Sequence, residues 1–114
     1  KMKTIIIIFI GLIFTLKIHA QSTIITSTLS VKGNCGECKE RIENAADIKG
    51  VKSATWDENT HIAQITYDTK KVSLNNIEMA IAKAGYETEN IKADTSAYKK
   101  LPQCCKYNHN KHNN

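Results

Sequence analysis

Residues 31 to 43, Val31-Lys32-Gly33-Asn34-Cys35-Gly36-Glu37-Cys38-Lys39-Glu40-Arg41-Ile42-Glu43, pass from one hydrophobic period to another within a few positions. Just before them, Ile24-Ile25-Thr26-Ser27-Thr28-Leu29-Ser30-Val31 is rich in β-branched residues. Ile25, Leu29 and Val31 fall on one face at even spacing, which predicts a strand. Gly33-Asn34 breaks it. From Cys35 onward the apolar positions Cys38, Ile42, Ala45, Ala46 and Ile48 change to helical spacing. The predicted helix runs from Cys38 to about Asp47. Glu37, Glu40 and Glu43 lie in its early turns, where the positive end of the helix dipole favours acids, and Gly50 is its stop.

Further along, Val51, Ala54 and Trp56 predict a short second strand, and Asp57-Glu58-Asn59-Thr60 a turn. Ala63, Ile65 and Tyr67 alternate with Gln64 and Thr66 in a third strand, so the two form a hairpin. Ser73 reads as the N-cap of a second helix with the stripe Leu74, Ile77, Ala80, Ile81 and Ala84, ended by Gly85. Tyr86 to Ile91 reads as a fourth strand. This order is that of the α+β, ferredoxin-like βαββαβ sandwich, an antiparallel four-stranded sheet with two helices on one face.

Outside this body the composition changes. Residues 1–20 carry Lys1 and Lys3, the apolar run Ile5 to Phe14, and Ala20 ahead of Gln21-Ser22-Thr23, the layout of a signal peptide cut after Ala20. Thr15 and Lys17 interrupt the run short of the roughly 20 apolar residues a membrane span needs. Ile18 stands where a small residue is preferred, so an uncleaved anchor is the alternative and the only membrane contact expected. The expected location is outside the cytoplasm, periplasmic or secreted. Without the leader, 13 basic residues face 11 acidic ones. Most of the excess sits in the polar tail, residues 94–114, expected to be loosely ordered. The basic balance is therefore no sign of nucleic-acid binding, and no aromatic and basic stripe is present.

Cys35 and Cys38, two residues apart on a loop entering a helix, can aim both sulfurs at one point while the helix start lowers their pKa. Thiolates select soft or borderline ions, Cu(I), Zn(II) or Hg(II), and a pair of them suits the low coordination numbers of Cu(I) and Hg(II). Zinc wants four ligands, and His61 is the sole further candidate in the body. The cargo expected first is Cu(I), with Hg(II) or Zn(II) behind it. Both sulfurs are expected side by side at the lip where sheet gives way to helix.

A C-x-x-C alone is weak, but between the first strand and first helix of this topology it is specific. Together with Gly50-Val51, Ala63-Gln64-Ile65-Thr66-Tyr67-Asp68 and Ala84-Gly85-Tyr86, the quoted stretch resembles the heavy-metal-associated domain family. That family includes copper chaperones, the amino-terminal domains of copper-transporting ATPases and the periplasmic mercury-binding protein. The resemblance covers about residues 23 to 92, placing a domain at 21–93. It implies Cys35 and Cys38 as ligands, a metal transporter or metal-accepting protein as partner, and Tyr86 as a shielding residue beside the site. Gly33-Asn34-Cys35 is one residue shorter than the usual loop and lacks its core methionine.

Cys104 and Cys105, near His109 and His112, are a candidate second soft-metal site or relay, weighed equally against an idle tail dithiol or an intermolecular bridge. Pairs placed so far apart in sequence read as lying at opposite ends of the domain. His61 reads as an exposed strand-edge residue, Trp56 as packing, and the first helix's acids as a solvated face. No catalytic triad, paired catalytic carboxylates or phosphate-binding Gly loop is present, so no enzyme is expected. The rival reading is a thiol–disulfide redox protein using Cys35 and Cys38. Against it stand the order of elements and a lone proline, Pro102, in the tail. A monomer is expected.

Overall fold

Alternation and helical spacing are both realised in the computed structural model, which describes residues 22–107. The elements are β1 (Ile24–Ser30), α1 (Gly36–Ala46), β2 (Val51–Trp56), β3 (Ile62–Asp68), α2 (Leu74–Lys83) and α3 (Thr95–Lys99), then a 3-10 turn at Gln103–Cys105. The leader and its cut site, and His109 and His112, lie outside the described residues. Among the described residues no helix is long and apolar enough to cross a membrane.

The sheet is antiparallel with strand order β1-β3-β2. Its period of two gives it one wet face, where the Thr26 and Thr66 hydroxyls bond at 2.8 Å. The other face buries Leu29, Ala63, Ile65, Tyr67 and Trp56 in one core with Ile42 and Ala46 of α1 and Ile77 and Ile81 of α2. Ile25 departs from the expected inward set and is 42% exposed. Ser73 caps α2, its Oγ accepting from the Asn76 N–H at 3.1 Å. Gly50, at φ 100, makes the turn into β2, a conformation that costs a residue with a Cβ.

Two expectations are corrected. The fourth strand is reduced to a single bridge, Val31 with Thr88, so the sheet has three strands. Lys32 N–H donates to the Glu87 carbonyl and Glu89 N–H to the Ser30 carbonyl. Beyond that the chain turns away: Ile91 N–H bonds the Thr88 hydroxyl and Thr88 N–H the Ile91 carbonyl, a local closure that competes with further pairing. Nor is the chain after Ala93 loosely ordered as far as Tyr107. Asp94 caps α3 by accepting from the Ala97 N–H at 3.0 Å, and Leu101 and Cys105 are buried in the main core. Gly85, at φ 103, lets α3 lie against it, since a Cβ there would stand 3.0 Å from backbone atoms of Ala97 and Tyr98.

Gly33 is held to its size by packing. A Cβ at this position would lie 2.9 Å from the Trp56 ring and 3.1 Å from Ile42 Cδ1. We predict that Gly33→Ala destabilises the protein by roughly 1–3 kcal/mol through overpacking, read in thermal unfolding as a Tm lower by several degrees.

Candidate metal centre

The centre begins where Val31 leaves the sheet. Its N–H donates to the His61 carbonyl at 2.9 Å, and its own carbonyl accepts from Trp56 Nε1 at 3.0 Å. With Lys32 tied to Glu87 and Gly33 flush against the indole, the next residues have little freedom. Cys35 takes an extended conformation, φ −135 and ψ 176, and its carbonyl accepts from the Lys39 N–H as the first bond of α1. Cys38 follows one turn on, at the head of the buried stripe that continues with Ile42 and Ala46. The two sulfurs meet at 3.5 Å.

The side-by-side placement matches expectation; equal presentation does not. Cys35 is partly exposed, whereas Cys38 is 0% exposed, within a core that also takes in Leu101 and Cys105 of the carboxy-terminal chain. Cys105, also fully buried, brings its Sγ to 3.8 Å from that of Cys35. Cys104 is exposed; its Sγ lies 4.0 Å from that of Cys105 and donates to Glu37 Oε2 at 3.3 Å. All four cysteines are free thiols. The inference that the two pairs sit at opposite ends of the domain is therefore corrected. Among the described residues two ligand groups result, Cys35 with Cys38 and Cys105, and Glu37 with Cys104 and Cys105, each with ligand atoms within 4.8 Å of one another.

Other residues fall into place around them. His61 joins neither group; it is exposed, at φ 60, and stacks on Trp56 with centroids 5.5 Å apart. Glu43 is not part of a solvated face, since it accepts from Lys39 Nζ and the Trp56 N–H and so ties α1 to β2. Tyr86 is fully buried beside the sulfurs, and Tyr107 stacks near it with centroids 6.2 Å apart. Tyr107 Oη accepts from the Glu87 N–H and donates to the Gly85 carbonyl, both at 2.9 Å. Sequence reasoning missed this clasp. The available signal was the apolar series Tyr98, Leu101, Cys105 and Tyr107 within a polar tail.

The thiols are electrostatically unequal. Desolvation pushes Cys35 up, but hydrogen bonds from the Cys38 backbone N–H and from the neighbouring thiols of Cys104, Cys38 and Cys105 outweigh it and bring its pKa down to about 7. Cys104 is raised to about 11, because its proton is shared with Cys35 and Glu37. Burial, then donation to Cys38, pushes Cys105 up as well. Burial likewise raises Tyr86, with the Cys105 and Cys38 sulfurs adding to the shift. One sulfur, that of Cys35, is thus charged readily, while those of Cys104 and Cys105 are held in the thiol form.

A small α+β sandwich with a dithiol at its first strand-to-helix joint defines a class of metal-binding domains, and comparison with known proteins places this one within it. The sequence model of the heavy-metal-associated domain matches residues 28–87. A copper chaperone CopZ of Staphylococcus haemolyticus is 31% identical over 67 residues, which covers 57% of this chain and 98% of the relative. Among solved structures, oxidized MerP from Ralstonia metallidurans CH34 aligns with TM-score 0.55 and 32% identity over 58% of this chain and 94% of its own. A copper binding domain from HMA7, a P-type ATPase, aligns with TM-score 0.54 and 27% identity over 56% and 89%. The chain belongs to the heavy-metal-associated domain family.

The thiolate is the nucleophile, so alkylation should report the inequality of the sulfurs directly. In the reduced, metal-free protein, modification of Cys35 by iodoacetamide should rise with pH and reach half its limiting rate near pH 7. Cys104, though more exposed, should lag until near pH 11. Peptide mass mapping of the modified sites across a pH series checks both.

Proposed function

We propose that this protein is an exported carrier of a single soft ion, Cu(I) foremost, which Cys35 and Cys38 hold as thiolates and pass on by ligand exchange. The observation that carries the reading is the 3.5 Å separation of two free sulfurs at the start of α1. Soft thiolates favour Cu(I), Hg(II) or Zn(II) over hard ions, and a site of few sulfurs favours the first two. The relative named as a copper chaperone and the copper binding domain of a P-type ATPase support copper. They also support a metal-transporting ATPase or another metal-accepting protein as partner. Export rests on the basic, apolar, then small-residue order of residues 1–20, and implies work in the periplasm or after secretion, as a monomer.

The unequal thiols give the order of events. Cys35, with its pKa near 7, meets the ion first as a thiolate. Cys38, fully buried behind it, ligates second. In transfer, a thiolate of the acceptor joins the ion before one of this chain's sulfurs leaves, so the ion is never free.

A redox reading has one observation in its favour, because two sulfurs in contact beside a readily ionised cysteine are poised to form a disulfide. Rapid turnover in an insulin-reduction assay, with no metal affinity, would establish it. For the carrier, anaerobic titration of the reduced protein with Cu(I) should saturate tightly near one equivalent, and changing both Cys35 and Cys38 to Ser should abolish binding. Full affinity in that double variant would falsify the assignment.

A further inference from the structure

The dithiol reading leaves Cys105 without a task, although the fold goes to some length to place it. Leu101 anchors the segment in the core, the Tyr107 hydroxyl clasps the Gly85–Glu87 turn, and Asn34 Nδ2 of the metal loop donates to the Cys104 carbonyl at 3.3 Å. These contacts hold Cys105 Sγ 3.8 Å from Cys35 Sγ, with Cys38 Sγ in the same group.

The sulfur spacing is informative in itself. Metal–sulfur bonds of about 2.3 Å put the sulfurs of a trigonal site about 4.0 Å apart and those of a linear site about 4.6 Å apart. The observed 3.5 and 3.8 Å are too short for a linear pair and suit a site with more than two ligands.

A second observation points the same way. Tyr86 Oη is fully buried and has no hydrogen-bond partner, the one such side-chain atom found among the described residues. Cys105 and Cys38 are the groups that act on it. Thiol sulfur is a weak acceptor, whereas a metal-bound thiolate is a strong one, so the Tyr86 hydroxyl, which faces the Cys105 and Cys38 sulfurs, gains a strong acceptor when they bind an ion.

We propose that Cys105 supplies a third thiolate to the ion held by Cys35 and Cys38, so that the loaded site is three-coordinate, capped by the protein's own tail and hydrogen-bonded by Tyr86. The proposal rests on the dithiol reading and extends it. Each thiol that ligates gives its proton to solvent, and Cu(I) keeps its oxidation state. Because the tail fills the position an acceptor's thiolate would take, transfer requires Cys105 to be displaced. Cys104, exposed and 4.0 Å away, lies on the outer side of that ligand.

X-ray absorption on the reduced full chain loaded anaerobically with one equivalent of Cu(I) tests this. Three sulfurs per copper are expected for the unaltered protein and for Cys104→Ser, and two for Cys105→Ser and Cys105→Ala. Two sulfurs in the unaltered protein overturn the third ligand while leaving the dithiol site standing. Failure of the unaltered protein to retain copper overturns both. The count in the unaltered protein decides the matter even if the Cys105 variants do not fold, and an unchanged count of three in folded Cys105 variants also overturns the proposal.

Discussion

Val31 is the residue on which the working end of this molecule depends. Its N–H is tied to the hairpin through His61, its carbonyl to the indole of Trp56, and its flanks to the Thr88 bridge. A backbone group bonded on all sides leaves the chain one direction of exit. Gly33, pressed against Trp56, then allows the loop to stay close to the core. Cys35 and Cys38 meet because of where Val31 is pinned.

This anchoring holds the short Gly33-Asn34-Cys35 loop close against the core. Trp56 and Ile42 close on Gly33 from below, and the tail closes from above. The result is a more enclosed pair of sulfurs than the motif alone implies. Enclosure has an electrostatic side, because partly desolvated thiols shift one another's pKa in opposite directions, the one that gathers hydrogen bonds ionising at the expense of those that donate them.

Much of the architecture was legible in the sequence because its cause is local. The even spacing of Ala63, Ile65 and Tyr67, the stripe Leu74, Ile77 and Ile81, the Ser73 cap and the glycine stops act over one or two turns of chain. The metal motif was legible for the same reason. The position of Cys105 was not, since it follows from contacts with Gly85, Glu87 and Asn34 some 20 to 70 residues away, as the sequence separations of those bonds record. Its polar neighbours hid the few apolar anchors. The fourth strand failed for a different, local reason: Tyr86 to Ile91 has the composition of a strand, but Thr88 offers its backbone a nearer partner in Ile91.

The shortened fourth strand leaves a mark on the opposite end of β1. Among the described residues only the Val31 end of that strand has a neighbour on its outer side, so the stretch from Ile24 to Thr28 borders the sheet with no described strand beyond it. Ile24 and Ile25 there are 45% and 42% exposed, and the stretch carries neither a lysine nor a proline to discourage docking. An open strand edge of this kind is the general template for pairing with another strand, and here it lies at the far end of β1 from the sulfurs.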